Sequence, residues 1–207
     1  MPRITEVVKQ LLIINILLFV GTSFVLPEFK ASLAMYWPAS SFFRPWQLIT
    51  HMFMHADFNH LLFNMFALYM FGSALESYWG PKKFLTFYLL CGFGALALYL
   101  IVWWGEISAL EAIDYERFLQ TPYRMMGASG AVFGLLAGYG MMFPNSQIML
   151  LIPPIPMKAK YFVLIYAAIE FFFGISKLNP GVAHFAHLGG ALCGVLIILY
   201  WRKTGKL

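Results

Sequence analysis

Along this chain the apolar residues come in long blocks, not in the alternation of a half-buried strand or the single stripe of an amphipathic helix. Six blocks, at 7–26, 58–79, 84–104, 128–143, 159–176 and 182–201, are each 16 to 22 residues long. A helix that crosses the hydrocarbon core of a bilayer needs about 20 such residues. The breaks between blocks hold residues that stop helices: Pro27-Glu28, Gly80-Pro81-Lys82-Lys83, Pro144, Pro153-Pro154-Ile155-Pro156 and Asn179-Pro180-Gly181. Asp57 stands where the second block would take its N-cap. The pattern predicts an all-α membrane protein: a six-transmembrane-helix bundle forming one domain over residues 1–207.

Two connections stand out. Residues 27–57 make a loop of roughly thirty residues, long for a compact domain. It is rich in rings, with Tyr36-Trp37-Pro38, Phe42-Phe43 and Pro45-Trp46. Such side chains favour the headgroup level, so the loop is expected to lie along the membrane interface. The most polar stretch, 105–126, carries Glu106, Glu111, Asp114, Glu116, Arg117 and Arg124. Sorting the loops by side puts nine of the 14 basic residues together: Arg3, Lys9, Lys82, Lys83, Lys158, Lys160, Arg202, Lys203 and Lys206. Lys30, Arg44, Arg117, Arg124 and Lys177 fall on the other side. The excess of Lys and Arg marks the cytoplasmic side, so both termini are expected there.

Composition agrees with the block pattern. The chain is 61% hydrophobic and 11% charged, against about 25% charged for a soluble domain. Its net charge of +5 is scattered, with no dense basic patch, so no nucleic-acid partner is expected. Cys91 and Cys193 both lie inside apolar blocks and read as small buried hydrophobes. Arg3 and Lys9 before an apolar run resemble the start of a signal peptide, but no Ala-x-Ala-like site follows Val20, so the first block reads as a retained span.

The fourth block is the shortest. Its 16 residues make a helix about 24 Å long against a core of about 30 Å. Ser129, at its start, can therefore sit below the outer boundary. The second, fourth and sixth blocks all begin on that same side, and their first turns carry most of the polar side chains capable of chemistry. These are His60 and Asn64, then Ser129, then His184 and His187. His187 lies six residues past Gly181, about 9 Å down the helix. Two imidazoles, an amide and a hydroxyl thus arrive at one depth. Polar groups inside a membrane face the bundle interior or a water-filled cavity and are functional by default.

Each of these residues has a plainer reading. Ser129 in a small-residue span, with Gly130, Gly134 and Gly138 four apart, can serve helix packing. His51 and His55 have metal-ligand spacing on a helix, but neither a His-Glu-x-x-His motif nor a nearby cysteine accompanies them, so no metal and no cofactor is expected. Glu170 lies deep in the fifth block with no evident cation at its depth, protonated or hydrogen-bonded, and has no assigned function. Glu76, near the cytoplasmic end of its block, reads as a structural acceptor for loop or helix-end donors.

Three motifs together are more specific than any one of them. Gly127-Ala128-Ser129-Gly130 opens the fourth block, Ala186-His187-Leu188-Gly189-Gly190 with Gly194 lies in the sixth, and His60-x-x-x-Asn64 lies in the second. In this order and on these spans they resemble the rhomboid family of intramembrane serine proteases, over roughly residues 7–202. The family's first loop often carries Trp-Arg, where this chain has Trp46-Gln47 with Arg44 nearby. The resemblance also matches Glu76 to a family glutamate that helps hold the core together.

The resemblance implies a Ser–His dyad in which Ser129 is the nucleophile and His187 the general base and acid. No acidic residue is close to His187 in sequence, and nothing there suggests a triad. Phe133, at i+4 from Ser129, corresponds to the ring on which the family's histidine packs. His60 and Asn64 would add side-chain donors to the Ser129 N–H in an oxyanion hole, and Gly127 would let a substrate backbone come close. His184 is expected to line the aqueous entrance. The implied partners are single-span transmembrane protein substrates and membrane lipids, with homo-oligomerisation left open. Substrates would reach the site between the second and fifth spans, where Phe171-Phe172-Phe173-Gly174 is the candidate gate. The compact form suggests a bacterial inner membrane. The rivals are a protease-inactive relative that binds membrane clients, a small transporter, which would call for repeated broken helices, and a metalloprotease, which would call for His-Glu-x-x-His.

Overall fold

The computed structural model describes residues 3–116, 124–149, 154–176, 178 and 182–207. The Asn179-Pro180-Gly181 break, Pro153, Arg117 and Lys177 lie outside the described residues, as do the side chains of Glu106 and Glu111. Helix α1, Glu6–Val20, continues through a wider π turn to Val25. Short helices α2, Phe29–Leu33, and α3, Gln47–Thr50, occupy the long first loop. Helices α4, Phe58–Ala67, and α5, Ser73–Trp79, are joined by a π turn over Leu68–Gly72, so the second block is helical throughout. Then come α6, Pro81–Ile113, α7, Ser129–Met142, α8, Ala159–Ser176, and α9, His184–Lys203.

Among the described residues, four stretches are long and apolar enough to cross a membrane: Glu6–Val25, Pro81–Gly105, Ala159–Ser176 and His184–Lys203. The chain is a mostly helical, multi-pass membrane protein. The helix ends follow the local chemistry. Asp57 accepts a hydrogen bond from the His60 N–H at 2.9 Å and caps α4. The block expected to end at Trp104 continues as helix to Ile113. Its extension, Glu106 to Ile113, consists mainly of good helix formers, and Ile107 is buried beside Trp37.

The first loop folds back onto the bundle. Strand β1, Met35–Tyr36, pairs antiparallel with β2, Arg124–Met125, the segment just before α7. Gln47 is fully buried and holds the loop together. Its amide oxygen accepts from the Tyr36 and Arg44 N–H groups, and its amide nitrogen donates to the Ser32 and Phe42 carbonyls. The residue that departs from the family's Trp-Arg pair is thus an anchor in its own right. A second small hairpin, β3 Gln147–Met149 with β4 Pro156–Lys158, joins α7 to α8.

Helix α7 lies at the centre, with nine of its 14 residues buried. Small residues let its neighbours approach: a Cβ at Gly190 would overlap the Gly130 carbonyl oxygen, and one at Gly194 would stand 2.9 Å from the Gly134 carbonyl oxygen. On the α6 side, Gly130 faces Ala95 and Gly134 faces Cys91. At the opposite end of the bundle, Glu76 receives the Val7 and Val8 N–H groups, each at 2.9 Å, and the Thr5 hydroxyl at 2.5 Å. It satisfies amides that the first turn of α1 would otherwise leave unpaired. The carboxylate reading of Glu76 as a structural acceptor agrees with these contacts. Helix α8 is the outlier, with only Ala159 and Glu170 buried.

Candidate active site

Ser129 is the first residue of α7, and Gly127 just before it has φ 137°, a conformation that side chains rarely tolerate. The reversal at Gly127 aims the start of α7, with its free amides and the positive end of its dipole, into the bundle. The Gly127 N–H is held by the His51 carbonyl at 2.9 Å. His60 packs against Gly127 so closely that a Cβ there would meet its ring at 2.8 Å.

His187, in the first turn of α9, points its Nε2 at the Ser129 hydroxyl, 2.8 Å away. Its ring lies flat on Phe133, with centroids 4.3 Å apart and planes 5° from parallel. This contact is possible because Gly190 lets α9 seat directly on the α7 backbone. Asn64 donates to the His60 carbonyl at 2.8 Å. One of its two amide hydrogens is thereby used within the helix, and the other is available to a bound group. Ser129, His187, His60, Asn64, Gly127 and Phe133 all border a single cavity of about 1170 Å³. The cavity also reaches Phe63 and Phe66 on α4 and Phe162 and Tyr166 on α8.

Two expectations need correction. Glu170 is hydrogen-bonded, one of the two states expected of it: its Oε2 lies 2.7 Å from His184 Nδ1 and 2.9 Å from His187 Nδ1. An acidic group therefore does reach His187, across the α8–α9 hairpin. His184 is buried against that carboxylate instead of lining an aqueous entrance. A signal for the first was available. Glu170 stands six residues before Ser176, and His187 stands six after Gly181. Residues equally far from a reversal share a depth. Of the candidate gate, Phe171 and Phe172 are exposed, whereas Phe173 turns inward and stacks on His184 with centroids 5.6 Å apart.

Glu170, His184 and His187 each bring a potential metal-ligating atom within 4.8 Å of the others. The spacing of Oε2 to the two nitrogens is that of N–H···O hydrogen bonds. His51 and His55 behave differently. His51 is buried, its Nδ1 hydrogen-bonded to the Gln47 carbonyl at 2.7 Å, and burial pushes its pKa down to about 4. His55 is fully buried with no hydrogen-bond partner at either ring nitrogen among the described residues, and burial, with His60 nearby, lowers its pKa to about 3. Both are neutral imidazoles at ordinary pH.

Fold and site together define a class: a multi-pass helical membrane protein with a serine–histidine pair at a buried helix start. The Rhomboid domain family model matches residues 43–204, and the chain belongs to that family. It is 31% identical to Rhomboid protein 1, mitochondrial, of Saccharomyces cerevisiae over 158 residues, covering 76% of this chain and 42% of the relative. It is 32% identical to Rhomboid protease AarA of Providencia stuartii over 172 residues, covering 78% and 58% respectively. It is 36% identical to RHOMBOID-like protein 6, mitochondrial, of Arabidopsis thaliana over 163 residues, covering 77% and 46%. The matched region thus spans between two-fifths and three-fifths of the length of these relatives.

Proposed function

We propose that this chain is an intramembrane serine endopeptidase that cleaves single-span membrane proteins near the outer membrane face. The observation that carries the reading is the 2.8 Å contact between His187 Nε2 and Ser129 Oγ, made at a helix N-terminus that borders a large cavity. Ser129 attacks the scissile carbonyl as His187 takes its proton at Nε2, and His187 then returns that proton to the leaving amine. The Ser129 N–H, supported by the α7 dipole, faces the developing oxyanion, with His60 and Asn64 as further donors. Gly127 leaves room for the substrate backbone. Phe133 holds the imidazole plane.

An intact helix hides its carbonyls in its own hydrogen bonds, so the substrate must unwind locally to reach Ser129. The low burial of α8 supports access between α4 and α8, past Phe171 and Phe172. We take residues 1–207 as one six-span unit with both termini cytoplasmic. Support comes from the basic residues on one side, and from Glu76, Val8 and Leu11, which tie α1 into the same core as α7. A bacterial inner membrane remains the compartment we assign, within a family that has both bacterial and mitochondrial members.

The test is cleavage of a tagged single-span substrate by the purified chain in lipid vesicles. Wild-type protein should cut it, and Ser129→Ala and His187→Ala should each abolish cutting. A fluorophosphonate should label Ser129. Undiminished cleavage by both variants, or labelling at another residue, would overturn the assignment.

A further inference from the structure

Glu170 is a carboxylate in the middle of an apolar helix, and it is one of the two buried residues of α8. A charge there is costly unless it is paired and hydrogen-bonded. Its pairing is specific: one oxygen receives both His184 Nδ1 and His187 Nδ1. The helices have other means of adhesion at this level, since Gly174 packs on the Phe185 ring and Phe173 stacks on His184. A carboxylate used only to fasten α8 to α9 could also have bonded exposed donors. This one meets the second nitrogen of the imidazole that faces Ser129.

We propose that Glu170 is a positioning residue for His187, extending the serine–histidine pair to Ser129–His187–Glu170, with His184 steadying the carboxylate. The inference rests on the serine protease reading above. Glu170 Oε2 accepts the Nδ1–H of His187, which fixes the tautomer and leaves the Nε2 lone pair aimed at Ser129. When the Ser129 proton moves to Nε2, the imidazolium carries its new charge 2.9 Å from Glu170 Oε2. The Nδ1 proton stays on His187 throughout, and the Nε2 proton passes to the leaving amine as the C–N bond breaks. Phe133 orients the ring from its face but supplies no charge. Glu170 supplies it from the edge, and burial of both side chains strengthens the interaction.

His184 has a defined part in this arrangement. Its Nδ1–H, at 2.7 Å from the same oxygen, keeps the carboxylate from rotating away from His187. Phe173 in turn packs on the His184 ring. The chain of contacts from Phe173 through His184 and Glu170 to His187 connects the inward-facing phenylalanine of α8 to the base.

The deciding experiment compares wild type, Glu170→Gln, Glu170→Asp and Ser129→Ala as purified protein in vesicles, with thermal melts to confirm folding. Cleavage kinetics of the single-span substrate and the rate of fluorophosphonate labelling are read for each. Glu170→Gln keeps the shape and loses the charge. Its kcat should fall by about 10²- to 10⁴-fold, with KM within about threefold of wild type. Labelling of Ser129 should slow in parallel. Glu170→Asp, which keeps the charge but is one methylene too short to hold the imidazole at the same distance, should fall between Glu170→Gln and wild type in kcat. Wild-type kcat and labelling rate in a folded Glu170→Gln protein would overturn the proposal. So would a loss that appears only in KM or in melting temperature. If Glu170→Gln does not fold, Glu170→Asp decides alone: a lowered kcat at unchanged KM supports the assignment, and an unchanged kcat sinks it. Ser129→Ala keeps the two hypotheses apart. If it stays inactive while Glu170→Gln is fully active, the protease reading stands and only the role of Glu170 is lost.

Discussion

Gly190 of α9 lies directly against the carbonyl of Gly130 on α7, leaving no room for a methyl group between the two backbones. Three residues before Gly190, and one before Gly130, stand the two partners of the serine–histidine contact. Gly190→Ala must push α9 outward, because backbone cannot yield as a flexible side chain can. The expected result is destabilisation by about 1–3 kcal/mol and a loss of cleavage of at least about tenfold as His187 withdraws from Ser129. Melting temperature and turnover of the purified variant check both. Gly21→Ala, at the helical position that follows α1 and with open space around it, serves as the control, expected to keep wild-type turnover.

Phe133 fixes the plane of the His187 ring by stacking. Phe133→Leu keeps apolar volume and loses the flat face. Turnover should fall by about tenfold or more, because an imidazole free to rotate seldom presents Nε2 to Ser129. KM should change little. A full kinetic comparison with wild type measures the split.

Glu76 caps α1 from another helix with three hydrogen bonds. Glu76→Gln removes the charged acceptor and turns half of its head group into a donor facing donors. Stability should drop by about 2–4 kcal/mol, since bonds to a charged group contribute about 1.5–3 kcal/mol each and some are recovered. Activity measured well below the melting temperature should be nearly unchanged. Thermal unfolding in detergent, followed by tryptophan fluorescence, tests this.

Acid should destabilise the loop-side core through His51 and His55. Their folded pKa values, about 4 and about 3, lie below the ordinary value of 6.5, so the unfolded chain binds protons first. Their contribution is fully present above pH 6.5 and begins to be lost below it. The loss is complete near pH 4 for His51 and near pH 3 for His55. For His51 this amounts to about 3 kcal/mol. Melting temperature should be flat from pH 8 to 7 and fall steadily between pH 6 and 4. In a His51→Gln variant, whose amide can still bond the Gln47 carbonyl, the fall should be shallower. An equal slope in both proteins would remove His51 from the account.

Much of the architecture was legible in the sequence because a bilayer imposes simple rules. Long apolar blocks must become helices, and Pro, Gly and charge must end them, so the run at 159–176 and the helical stretch at 58–79 could be bounded from composition alone. Depth was legible too, from the short fourth block and a rise of 1.5 Å per residue, and depth is what drew Ser129, His187, His60 and Asn64 together. The end of α6 was less so, because the helix outruns the apolar block and Ile107 finds a partner only in Trp37 of a distant loop. Rotation about each helix axis was not legible at all. Whether Glu170 faced lipid or His187, whether His184 looked toward water or inward, and whether Gln47 could serve as the loop's anchor all depended on which face each helix turned to its neighbours. That choice is made by packing, through contacts such as Gly130 with Gly190, and is not encoded in any one segment. Sequence alone brought a serine and a histidine to one level; the tertiary structure decided that a carboxylate would stand behind them.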